Sequence, residues 1–137
     1  MSKSNYRDLV VWQKARKLAV AIYSVTRSFP RDEVFGITQQ MRRAVVSVAC
    51  NIAEGHGRRS AKDILYFLAI ARGSLLELET QIVIATDLEY VRPQPSDTLV
   101  EQTLDVARLL NGLIRHYEKL LPTADCKLPT ARREAAT

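Results

Sequence analysis

The feature that most constrains this chain is a row of apolar residues between Ile64 and Ala85. Ile64, Leu68, Ala71, Leu75, Leu78, Ile82 and Ala85 alternate by steps of four and three without a miss. That spacing keeps all seven on one side of an α-helix and would scatter them over both faces of a strand. Three further segments repeat the pattern. Val11, Ala15, Leu18, Ile22, Val25 and Phe29 form one seam, and Met41, Val45, Val48 and Ile52 another. Leu99, Thr103, Val106, Leu110, Leu113, Tyr117 and Leu120 form the last. Trp12 lies beside the first seam and is expected to be buried.

The punctuation between seams sets the boundaries. Pro30 stops the first helix, because proline lacks an N–H and restrains the residue before it. Thr38 is positioned to cap the second, and Gly55 and Gly57 to end it. Ser60-Ala-Lys-Asp63 has the form of a capping box for the third. Arg92-Pro93-Gln94-Pro95 breaks that helix, and Ser96 caps the fourth, which Pro122 ends. The predicted helices are 9–28, 38–54, 61–90 and 97–121. Short links force neighbours to run antiparallel, so the expected fold is all-α, an up-down-up-down four-helix bundle in one domain over residues 1–121. Residues 122–137 contain Pro129 and small and charged residues, and are expected to be a disordered tail.

Leu65, Leu76 and Val83 lie off the main seam of the third helix. A bundle helix needs one core stripe, so a second apolar strip points to a subunit interface, closed as a dimer or ring. Of the 137 residues, 47% are hydrophobic and 26% charged, which is the balance of a water-soluble globular chain. No apolar run reaches the ~20 residues of a membrane span, and Met1–Asp8 has no apolar signal core, so a cytoplasmic location is expected. Cys50 and Cys126 lack a CxxC spacing, and Cys50 is expected to be a buried free thiol.

The charge is unevenly spread. Residues 1–59 hold 11 Lys and Arg against 4 Asp and Glu, a net +7, whereas residues 60–137 hold 9 against 11, a net −2. A basic half favours polyanions such as RNA or DNA. Lys14, Arg16, Lys17, Arg58 and Arg59 are the candidate phosphate contacts, with Lys3 and Arg7 in the N-terminal arm. Aromatic residues for stacking are few (Tyr6, Tyr23 and Tyr66), so binding is expected to run through the nucleic-acid backbone and to weaken steeply with salt.

Catalytic constellations are missing from the sequence. A di-iron bundle needs Glu-x-x-His on facing helices, but Glu54 and His56 are two apart and His116 has no carboxylate at the required spacing. Glu77, Glu79, Asp87 and Glu89 are too sparse for a magnesium-dependent pyrophosphohydrolase. Phosphate-binding glycine loops and nucleophile elbows do not occur. No cofactor or metal is expected. Arg43, Ser47, Asn51 and Glu54 on the second helix and Arg72, Glu77 and Glu79 on the third form polar stripes. Their expected role is a structural network that fixes helix register, with guanidinium groups forking carboxylates. An enzyme using Arg43, Glu54, Arg72 and Glu79 is a distant alternative.

Three co-linear segments carry a family resemblance: YRDLVVWQKA (Tyr6–Ala15), QQMRRAVVSVACNIAEG (Gln39–Gly55) and ARGSLLELETQI (Ala71–Ile82). They resemble the four-helix-bundle family known as the 23S rRNA intervening-sequence proteins, over about residues 6–121. Ala49-Cys50 departs from the Pro-Ser pair frequent there. The resemblance implies a small bundle assembled as a ring, a homopentamer, without catalytic residues. A related branch serves as the accessory subunit of retroelement reverse transcriptases. The combined expectation is a non-enzymatic homo-oligomer that binds nucleic acid, structured RNA above all. The alternative is a protein-interaction scaffold with a partner such as a reverse transcriptase.

Overall fold

The computed structural model describes residues 4–122, all helix and connection. A 3-10 turn at Tyr6–Asp8 leads into α1 (Val10–Thr26), and a second at Arg31–Glu33 precedes α2 (Ile37–His56). Then come α3 (Ala61–Asp87) and α4 (Pro93–Glu118). Each helix packs on the next and α1 closes on α4, giving a four-helix bundle. The tail predicted for 122–137 lies outside the described residues apart from Pro122.

The seams read from the sequence form most of the core; at the end of α4 Ile114 is buried instead, Leu113 and Tyr117 are half-buried, and Leu120 lies exposed beyond the helix. Leu18, Ile22, Met41, Val45, Val48, Ile52, Leu68, Leu78, Ile82, Val106 and Leu110 are completely enclosed or nearly so. Burial of such side chains supplies roughly 1.5–3 kcal/mol each before entropy is subtracted. Trp12 departs from expectation: it is only half-buried and packs against the core from outside. Cys50 departs further, being exposed. Six residues separate it from Ala44, and on a helix that rotation carries it from the core side to the outer side.

Several helix ends also differ from the sequence reading. Gly36, not Thr38, precedes α2; Thr38 sits in the first turn, buried, with its hydroxyl unpartnered. α4 begins at Pro93 rather than 97, because proline at the first position gives up an N–H that has no intrahelical acceptor anyway. Ser96 is therefore inside the helix, where its Oγ lies 2.8 Å from Thr86 Oγ1 and ties α4 to α3. Ser60 does cap α3, accepting the Asp63 N–H at 3.1 Å. The far end of α3 closes with Glu89 in the left-handed region (φ 63°), while the Tyr90 N–H reaches Ala85 O and the Glu89 N–H reaches Thr86 O, both at 2.9 Å. This is a Schellman closure without the usual glycine. The Tyr90 hydroxyl then donates to Glu33 Oε2 at 3.1 Å, an interaction that raises the phenol's pKa above its ordinary value.

Gly55 does not stop α2. It is buried within the helix, and a Cβ there would lie 3.1 Å from Phe67 Cβ and 3.2 Å from the Ile64 carbonyl oxygen. Neither neighbour is the free end of a side chain, so α2 and α3 approach at this point only because residue 55 has no side chain. Gly55→Ala is expected to destabilise the protein by about 1–2 kcal/mol, since the clash outweighs alanine's better helix propensity. Urea unfolding checks this; a variant as stable as the parent would show that the helices are not held at that separation.

Candidate nucleic-acid interface

Two matched rows of residues build the face where α1 meets α2. On α1 they are Trp12, Arg16, Ala19 and Tyr23; on α2, Arg42, Val46, Ala49 and Ala53. Both rows step by four, three and four, so each lies along one flank of its helix. Alanines at Ala19 and Ala49 pack against the core. The longer side chains beside them lie toward solvent.

The best-defined part is the Arg42–Tyr23 contact. The Arg42 guanidinium lies over the Tyr23 ring, 4.7 Å from its centroid. Its Nε donates to Thr26 Oγ1 at 2.9 Å, and one terminal nitrogen donates to the Tyr23 carbonyl at 3.5 Å. Thr26 is buried and donates its own proton to the Ile22 carbonyl at 2.7 Å, which leaves its lone pairs for Arg42. The result is a guanidinium held in place by its stem and stacked on an aromatic face. Beside it lies a hollow of about 320 Å³ lined by Tyr23, Arg42, Arg43, Val46 and Ser47.

Toward the C-terminal end of α2, a wider hollow of about 530 Å³ is lined by Tyr6 of the first 3-10 turn with Cys50, Ala53, Glu54, Gly57 and Arg58. Arg58 stacks on the Phe67 ring, 4.6 Å from its centroid, and pairs with Glu54. Tyr6 meets the Trp12 ring edge-on at 5.1 Å, and Arg16 lies over the same Trp12 ring at 5.4 Å. His56 Nε2 donates to the Ser4 carbonyl at 2.6 Å, tying the start of the chain to the end of α2.

The five basic residues singled out from the sequence are thus divided. Arg16 belongs to the α1/α2 face, Arg58 lies at the end of α2 over Phe67 of α3, and Arg59 follows in the exposed turn. Lys14 and Lys17 face the α4 side, lining a hollow of about 240 Å³ with Gln102 and Asp105. Lys14 Nζ is 3.9 Å from Asp105 Oδ2, and Arg108 shares that carboxylate at 2.9 Å. Arg42, absent from the candidates drawn from the sequence, holds the centre of the α1/α2 face with Tyr23, one of the few aromatics offered for stacking; the shared four-three-four spacing was the available signal.

The polar stripes of α2 and α3 meet in part. Ser47 and Ser74 are joined Oγ to Oγ at 2.8 Å, and Asn51 Nδ2 donates to the Ser47 carbonyl and hydroxyl at 2.9 and 3.0 Å. Gln81 Nε2 donates to Glu77 at 3.3 Å. Glu54 turns to Arg58. Among the described residues, no hydrogen bond or ion pair links Arg43, Arg72 or Glu79 to another side chain. Nor does any group of three or more His, Cys, Asp and Glu residues there gather in a way that could hold a metal ion. No helix of the described residues is long and apolar enough to cross a membrane.

The sequence profile of the 23S rRNA-intervening sequence proteins matches residues 7–112. The chain belongs to that family. Among solved structures, it is similar to a protein of unknown function from the S23 ribosomal protein family of Bacteroides thetaiotaomicron, with a TM-score of 0.70 and 24% identity. The match covers 77% of this chain and 98% of that one, and establishes the shared fold. No curated protein matches the chain. In this 23S rRNA-intervening sequence family member, the QQMRRAVVSVACNIAEG segment makes up most of α2: its inner side holds core and Gly55, and its other sides hold Arg42, Arg43, Val46 and Cys50.

Thr26→Val removes the acceptor for Arg42 Nε while keeping the side chain's shape. It is expected to destabilise the fold by about 1 kcal/mol, measured by urea unfolding. An unchanged midpoint would mean that the Thr26 bond does not hold the guanidinium.

Proposed function

We propose that this protein is a non-enzymatic, homo-oligomeric nucleic-acid-binding protein that takes structured RNA on its α1/α2 layer. The carrying observation is the segregation of charge by layer. Among the described residues, the first half of the bundle (4–59) holds 10 Lys and Arg against 4 Asp and Glu, a net +6, and the second half (60–122) holds 6 against 9, a net −3. α1 carries Lys14, Arg16 and Lys17 and no acid of its own, Lys14 alone being paired with Asp105 of α4, and Glu54 is the sole acid of α2. Such a layer attracts phosphate, releases condensed counterions and orients the molecule on a polyanion.

Self-association would use the other layer. Leu76 (58% exposed), Val83 (52%) and Leu104 (46%) leave substantial apolar surface on α3 and α4. Covering it with a second copy removes that surface from water and keeps the basic layer open, an arrangement that suits a ring such as a homopentamer. The same apolar surface supports the second reading, an interaction scaffold whose partner is a protein such as a reverse transcriptase.

Fluorescence anisotropy with a structured RNA tests the first reading. Affinity is expected to fall by orders of magnitude between low and moderate salt. Neutralising one phosphate-contacting cation should lower the slope of log K against log salt by about 0.7–0.9. Arg16→Gln is expected to weaken binding more than Lys14→Gln, because Asp105 already offsets Lys14. Absence of RNA retention at low salt sinks this reading; a tight protein partner recovered without nucleic acid would then favour the scaffold.

Light scattering tests the assembly. The parent is expected to be larger than a monomer at micromolar concentration, and Leu76→Glu with Leu104→Glu is expected to reduce it to monomers. A monomeric parent would overturn the assembly.

A further inference from the structure

We infer that the outer side of α2, from its seam with α1 at Tyr23 to its C-terminal end beside Tyr6, holds an unpaired, single-stranded stretch of nucleic acid, its bases lying against Tyr23 and Tyr6 and its phosphates against the arginines beside them. This rests on the nucleic-acid reading above and specifies what is bound and how.

Both hollows beside α2 have the same composition. Each joins a tyrosine to arginine: Tyr23 with Arg42 and Arg43 in one, Tyr6 with Arg58 in the other. Each also has an apolar wall, Val46 in the first and Ala53 in the second. A surface made only for phosphate has no use for apolar walls or aromatic rings. Base–aromatic stacking uses both, and it is indifferent to sequence because every base has a flat π-face.

The aromatic groups are braced. Arg42 covers one side of Tyr23, and the residue as a whole remains 40% exposed. Tyr6 rests edge-on against Trp12, and the bond from His56 to the Ser4 carbonyl fixes the chain two residues before it. Side chains already held in place lose little freedom when a base settles on them. The single carboxylate lining either hollow is Glu54, and its pairing with Arg58 mutes its repulsion of phosphate.

Geometry also favours a single strand over a duplex. The hollows, about 320 and 530 Å³, are of the size that seats small organic groups. Val46 and Ala53 are seven residues apart, which places them about 10 Å apart along α2. One extended strand can therefore reach both. A duplex keeps its base faces stacked inside and would leave the tyrosines without a partner. In a structured RNA, loops and bulges supply such unpaired bases.

The test is fluorescence anisotropy of the full chain at low salt with three labelled probes of about 15 nucleotides, within the span of nonspecific single-strand sites. They are an oligouridylate, an abasic phosphodiester strand of equal length and a fully paired RNA duplex. The oligouridylate is expected to bind more tightly than the other two. Tyr23→Leu and Tyr6→Leu should each weaken it by about five- to a hundredfold, leave the abasic strand almost unchanged, and preserve the salt slope. Tyr23→Phe, which keeps the ring, should bind like the parent. Should Tyr23→Leu fail to fold, Tyr23→Phe, Tyr6→Leu and the abasic comparison still decide. Equal binding of oligouridylate and abasic strand, with tyrosine variants like the parent, overturns the single-strand inference and leaves backbone binding intact. Failure of all three probes to bind overturns the nucleic-acid reading itself.

Discussion

The close approach of α2 and α3 at Gly55 sets the geometry on which the rest of this bundle depends. With no side chain at residue 55, α2 lies against the Ile64 carbonyl and Phe67 near the start of α3. Ser60 caps α3 immediately after the turn, so little slack separates the two helices. Two turns back, the same register brings Ser47 opposite Ser74 at 2.8 Å. A slip of one residue on either helix would rotate it by about 100° and break both contacts at once. The glycine and the serine pair therefore restrain the same degree of freedom from two points.

Fixing α2 in this way also fixes what its outer side offers. The rotation that puts Met41, Val45, Val48 and Ile52 in the core turns Arg42 and Val46 toward α1 and leaves Arg43 and Cys50 outside. Arg42 then reaches Tyr23 and Thr26 across the α1/α2 seam. Packing and candidate function are thus coupled through a single helix. The basic layer follows from the order of the chain, because α1 and α2 are consecutive and carry most of the excess positive charge.

Legibility in the sequence varied by element. The four seams were plain because core residues recur at helical spacing, and a long helix such as α3 repeats the signal seven times. Helix ends were less so. Gly55 has the composition of a stop signal, yet its role is to admit α3, a demand imposed by a residue twelve positions away. Ser96 has the composition of a cap, yet two prolines at the start of α4 move the helix start ahead of it. Cys50 sits between core positions in the sequence but turns outward. Arg43, Glu54 and Arg72 look like partners on paper, whereas Glu54 is claimed by Arg58 one turn along its own chain.

The amino-acid sequence by itself determined that this chain forms four amphipathic helices, most of the residues that fill their core, and that its first half is basic. Those properties follow from local periodicity and composition, which need no knowledge of neighbours. Only the tertiary structure decided which cations act together. Lys14 and Arg16 are two residues apart, yet a helix turns about 200° over that step, sending one toward Asp105 of α4 and the other toward α2. Tyr23 and Arg42 are nineteen apart and meet face to face. Which side chains share a surface depends on how whole helices pack, and that depends on features as small as the missing Cβ of Gly55.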